Sequence, residues 1–212
     1  MLPYSAEVLF ALFDEYNQAI RPLQGVALFL TAGILILTLR SRGNRSRIIV
    51  AILAAGWIWT GAVFHLVYFS ELNFAAPVYG AVFIIQGSLL FWAGVHRKRI
   101  SIRFQRKPAG LAGAAIVILS AVILPVIDWH QGFSWTEARF ALLAPGATAG
   151  LTLGLLMMAD RRPPLWVAAI PVLWTVLASV HAAVLGIYQD IALTGAGLAA
   201  LVWLVACARG LL

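Results

Sequence analysis

The chain has 212 residues, of which 62% are hydrophobic and only 11% charged, and its formal net charge is +7. Soluble domains carry roughly 45–50% apolar and about 25% charged residues, so a water-soluble globular domain is excluded and lipid is the expected solvent. The single cysteine, Cys207, excludes an internal disulfide and any thiol-pair metal site.

The first stretch, "MLPYSAEVLFALFDEYNQAIRP", lacks a basic leader and has acids where a secretory signal has its apolar core. Leu9, Phe10, Phe13, Tyr16 and Ile20 recur at helical spacing, with Ser5 as N-cap and Pro22 as stop. Residues 1–22 are therefore expected as an amphipathic helix lying at the membrane surface. Seven apolar runs follow, at 23–39, 48–69, 75–95, 108–127, 140–158, 164–185 and 190–208. Each is near the roughly 20 residues that cross a bilayer core. The expected fold is all-α and polytopic, with residues 23–212 forming a single domain of seven transmembrane helices.

The loops sort by charge. "RSRGNRSR", "HRKRISIRFQRK", "DRRPP" and the terminal "ARG" hold 13 of the 15 basic residues, and the alternate loops hold seven of the eight acids. Basic residues mark the cytoplasmic side, which places the N-terminus outside and the C-terminus in the cytoplasm. The basic face implies contact with anionic lipids and gives no reason to expect nucleic acid. Arginine outnumbers lysine 13 to 2, a composition that hints at a GC-rich bacterial genome and hence the bacterial cytoplasmic (inner) membrane.

Trp129 and Trp135 suit the outer interface, and Trp92, Trp166 and Trp203 the inner one. Trp57, Trp59 and Trp174 fall at membrane depth and are expected to pack between helices. Gly146, Gly150 and Gly154 share one helix face, as do Gly80, Gly87 and Gly94. Such stripes let helices approach closely, either within the bundle or against a membrane-protein partner or a second copy.

Polar residues at membrane depth are the functional candidates. His65 and His181 each lie about 17 residues into spans that run in the same direction, roughly 25 Å from the inner face. Glu71, Asn73, Asp128, His130 and Asp190 fall on the same outer side, and Gln86 lies midway through the third span. Four readings compete for this cluster. The histidines bond across helices, they line a solute or ion pathway, they hold a divalent metal with His130 and Asp128, or they hold haem b. No resident cofactor is expected. The lysines, Lys98 and Lys107, lie in a loop, which excludes a retinal Schiff base, and no hydrolase or NTPase motif occurs. Pro171 interrupts the sixth span and frees the Val167 carbonyl from its helical donor. Thr148 and Thr152 are placed to bond back to their own helix.

The segments "EYNQAIRPLQ" (15–24), "GAVFHLVYFSELNFAAPVYGAVFIIQG" (61–87), "TLGLL" (152–156) and "PPLWVAAIPVLW" (163–174) resemble the bacterial multi-pass membrane family known as domain of unknown function 6064. The resemblance implies Tyr16, Asn17, His65, Asn73 and Gln86 as motif positions. It also implies a proline–cysteine–proline–threonine segment before "TLGLL", where this chain reads "APGATAG", so no thiol role carries over. His181 is not part of the family pattern. The resulting expectation is a small-solute or ion carrier, or a ligand-binding membrane protein, with an outward-facing polar site around His65. An accessory subunit of a larger complex and a haem-binding redox protein are the alternatives, and no enzymatic motif supports catalysis.

Overall fold

The structure is a computed structural model that describes residues 4–40, 44–130, 132–160, 163–187 and 191–209. Its described residues are helical, apart from connecting loops and one isolated β-bridge between Ile102 and Ala159. Helix α1 (Ala6–Ala19) starts where the Ser5 hydroxyl accepts from the Val8 N–H, and α2 (Leu23–Leu39) leaves it at 91°. Helix α3 (Arg45–Trp59) runs on as a π-helix over Thr60–Tyr68 and a 3₁₀ turn over Phe69–Glu71. Helix α4 (Ala76–Leu90) begins with a proline in its first turn and widens into a π-helix over Phe91–His96. Helix α5 (Pro108–Ile118) continues through a π segment, Leu119–Ile123, into α6 (Leu124–His130). Then come α7 (Pro145–Met157), α8 (Trp166–Leu185) and α9 (Ile191–Ala208). Gly186 ends α8 in the left-handed conformation at φ 75°, which only glycine adopts without strain.

Among the described residues, four continuous helices are long and apolar enough to cross a membrane: Arg45–Glu71, Ala76–His96, Pro108–His130 and Trp166–Leu185. The bent pair α1 and α2 would make a fifth. This corrects the expectation of seven. The run at 23–39 is a 17-residue helix, and at 140–158 only 13 residues are helical. Large apolar side chains face outward on the bundle, among them Phe29 (78% exposed), Leu173 (68%) and Val202 (70%). Such faces are costly in water and suited to hydrocarbon.

Helix α7 is the hub. From Ala147 to Met157 every residue is buried, and the helix packs on α5, α8 and α9. Its glycine stripe is filled from inside the chain. A Cβ on Gly154 would stand 2.6 Å from the Gly113 carbonyl, and one on Gly146 would meet Leu193 at 3.3 Å. Gly80, Gly87 and Gly94 are likewise closed by Leu66, Ile58 and Val50 of the neighbouring hairpin helix. Both stripes thus serve internal packing.

Ahead of α7, residues 138–144 are buried but not helical, and Leu142 has a positive φ of 73°. Buried backbone must find partners, and here side chains supply them. Asn17 donates Nδ2–H to the carbonyls of Thr136 (2.7 Å) and Ala138 (3.0 Å). The Tyr16 hydroxyl donates to Leu143 O (3.2 Å) while accepting from Trp59 Nε1 (2.9 Å). The Thr60 hydroxyl reaches Leu142 O at 3.4 Å. The amphipathic face of α1 therefore docks on the protein itself, burying Phe10, Leu12, Phe13, Tyr16 and Asn17. At its exposed side, Asp14 is held below the ordinary carboxylate range by the Thr136 hydroxyl and by the Gln18 amide.

Candidate functional site

The π-helix Thr60–Tyr68 carries His65, and π segments are rare features that recur at functional sites. His65 is fully buried, and neither ring nitrogen has a hydrogen-bond partner among the described residues. Its surroundings are aromatic. Ring centroids of Phe83 (4.6 Å), Trp174 (5.1 Å), Phe64 (5.3 Å), Phe69 (5.7 Å) and Tyr79 (6.0 Å) stand around it, all edge-to-face. The Trp174 indole N–H is also buried without a partner among the described residues. Buried polar groups in native proteins are nearly always satisfied, so a cluster of orphans is informative.

Of these rings, Phe64, Phe69, Tyr79 and Trp174 join His65 in lining a cavity of about 90 Å³. His181 lines it from α8 and Arg139 from the loop before α7. The two histidines, at equal offsets along their helices, thus line one cavity. Neither bonds to another helix, however. His181 Nδ1 lies 2.9 Å from Leu177 O of its own helix, and His65 bonds to nothing among the described residues. The first turn of α7, at Pro145, Gly146 and Ala147, forms the opposite wall, and no side chain caps it.

The remaining candidates go elsewhere. Asp128 is fully buried in an ion pair with Arg139, which donates Nε–H at 2.9 Å and Nη2–H at 2.6 Å. Arg139 also lies over the Phe10 ring at 5.3 Å. Asp128 is therefore matched by a charge. His130 and Glu71 are exposed. Asn73 makes the turn into α4, its Oδ1 accepting from the Ala75 N–H at 2.9 Å. Gln86 donates Nε2–H to Val167 O at 2.7 Å, the carbonyl that Pro171 leaves free. Its Oε1 has no partner among the described residues. Asp190 lies outside the described residues. Among the described residues no three His, Cys, Asp or Glu side chains converge to hold a metal ion.

Sequence reasoning did not foresee Tyr79 as a wall, Phe83 as a ring packed on His65, or the Asp128–Arg139 pair. Tyr79 and Phe83 are four apart on α4, on the face that continues to Gln86, and that spacing was the available signal. Trp174, which the sequence sets two turns before His181, packs edge-on to His65.

No curated protein and no solved structure matches the chain. A family model does match it, over residues 6–210, which include the docked α1, the π segment with its buried histidine and the central α7. The chain belongs to that family, the family of unknown function DUF6064.

Proposed function

We propose that this is a multi-pass protein of the bacterial cytoplasmic membrane that binds a small solute against His65 and carries it across. The alternation of basic and acidic loops supports an outer N-terminus, with the basic stretches against anionic lipid headgroups inside. One observation carries the functional reading. A buried histidine with both nitrogens unpartnered among the described residues faces a cavity whose other walls are mostly apolar. Small-molecule sites have this character, an apolar enclosure with a few convergent polar atoms that fix orientation. A histidine kept without partners costs stability, and a solute that bonds to it recovers that cost.

The test is a screen of purified full-length protein for a saturable, solute-dependent rise in unfolding temperature with small aromatic and aliphatic solutes, beside His65→Ala. A rise lost in the variant is the expected result. An equal rise in both proteins, or none with any solute, overturns the proposal. A binding solute is then offered to sealed proteoliposomes, where exchange supports a carrier and binding without exchange refutes that part.

A further inference from the structure

The polar atoms around the cavity include several that can only donate. The Trp174 indole is a donor only, and its N–H is buried without a partner among the described residues. Neutral His65 offers one N–H and one bare nitrogen, both unpartnered among the described residues. The first turn of α7 contributes further donors. Pro145 has no N–H, and the N–H groups of Gly146 and Ala147 precede the first intrahelical bond, made by Thr148 N to Ala144 O at 3.0 Å. No side chain caps this 13-residue helix, and its N-terminal partial positive charge lies against the cavity. Arg139 adds little net charge, since its guanidinium is matched by Asp128. The rest of the wall is Leu, Ile, Ala and aromatic ring, with His181 and the hydroxyl-bearing Tyr4 and Tyr79, which can donate or accept, among its lining.

Building on the solute-binding reading above, we infer that the ligand is a small apolar body carrying an oxygen acceptor, a carbonyl or carboxyl group, directed at Trp174, His65 and the α7 N-terminus. Donors held in place at a cavity wall select acceptors, because a donor-only or headless ligand leaves them unpaired on closure. The broken span supplies the same device that lets half-helix N-termini in transporters meet substrate carboxylates. The acceptor class follows from Trp174 and the amide N–H groups together, and His65 orients the head without fixing its charge.

The test uses four probes of similar size with purified full-length protein: acetophenone, benzoate, ethylbenzene and benzylamine. Binding is read by calorimetry and by tryptophan fluorescence. Acetophenone or benzoate is expected to bind saturably, with ethylbenzene and benzylamine about tenfold weaker or more, the size of one or two lost hydrogen bonds. Benzoate ahead of acetophenone assigns a carboxylate, and the reverse order a neutral carbonyl. Trp174→Phe keeps the ring and removes the donor, and is expected to weaken the acceptor probes about fivefold without touching ethylbenzene. His65→Phe is expected to weaken the same probes while raising the unfolding temperature of the empty protein, since it removes two unpaired nitrogens. If ethylbenzene or benzylamine binds as tightly as acetophenone, and His65→Phe still alters that binding, the acceptor assignment fails and the solute site stands. If none of the four binds, and no solute in the wider screen does, both fail.

Discussion

The bond between Gln86 and Val167 ties two helices through a defect that one of them carries. Pro171 has no N–H, so the Val167 carbonyl, four residues earlier, lacks its helical donor. Gln86 and Val167 are both fully buried, and the amide closes that carbonyl at 2.7 Å. Gln86→Leu removes the donor and strands the carbonyl, which by soluble-protein experience costs about 1–3 kcal/mol. Interhelical bonds in membrane proteins measure less, about 0.6 kcal/mol on average and up to about 1.7. The change also deletes Gln86 Oε1, an acceptor without a partner among the described residues, and this offsets part of the loss. A net cost of about 1 kcal/mol follows, close to fivefold in the unfolding constant. Pro171→Ala restores an N–H for Val167, and in that background Gln86→Leu is expected to cost nothing or to stabilise slightly. The cycle is read by equilibrium unfolding in mixed micelles with increasing SDS fraction, followed by circular dichroism. Costs for Gln86→Leu that agree in the two backgrounds, within about 0.3 kcal/mol, would refute the pairing.

Two further changes probe the packing and the buried charges. Gly154→Ala drives a methyl to within 2.6 Å of the Gly113 carbonyl and 2.7 Å of Val117, so α5 and α7 must separate, at a cost of about 1–3 kcal/mol. Gly33→Ala meets nothing within 4 Å and is expected to be neutral or to stabilise by up to about 1 kcal/mol. Equal effects in thermal unfolding would overturn the assignment of the glycine stripe to internal packing. Asp128→Asn takes the carboxylate from the buried Arg139 guanidinium and is expected to cost about 3–5 kcal/mol, with most of it recovered when Arg139→Gln is added. A double variant no more stable than the single one would show that the pair is not the unit.

What could be seen in the sequence was chemistry with a period or a fixed offset. The inward face of α1 was legible because Phe10, Phe13, Tyr16 and Ile20 repeat at helical spacing, and all four are buried. The shared cavity of His65 and His181 was legible because equal offsets along spans of one direction give equal depth. Both halves of the Gln86–Val167 bond were visible, a buried amide and a carbonyl freed by proline, but nothing in one dimension says that they meet. Thr148 and Thr152 do bond back to Ala144 and Thr148, as a local offset allows. Asp128 lies near the end of α6 and Arg139 in the loop that follows, so no period ties one to the other. Hydropathy also cannot tell a helix from a buried loop of the same composition, so residues 140–158 read as one full span.

That last failure and the cavity have a single physical origin. On the proposed topology the chain must cross between "TEAR" and "DRRPP", yet α7 is 13 residues long, roughly 20 Å at 1.5 Å per residue, short of about 30 Å of hydrocarbon. The remaining distance falls to the non-helical stretch 138–144, and irregular backbone at that depth survives only inside protein. Tyr16, Asn17 and Thr60 provide that enclosure by closing its carbonyls, which gives the docked α1 a structural reason beyond its amphipathic face. On that topology the break places a helix N-terminus against the cavity that His65 lines. A continuous helix through 138–157 would engage the Gly146 and Ala147 N–H groups in its own ladder, leaving the cavity its side-chain polar groups, among them Trp174, His65 and His181. The irregularity is therefore the element that gives an otherwise apolar bundle a directed polar wall.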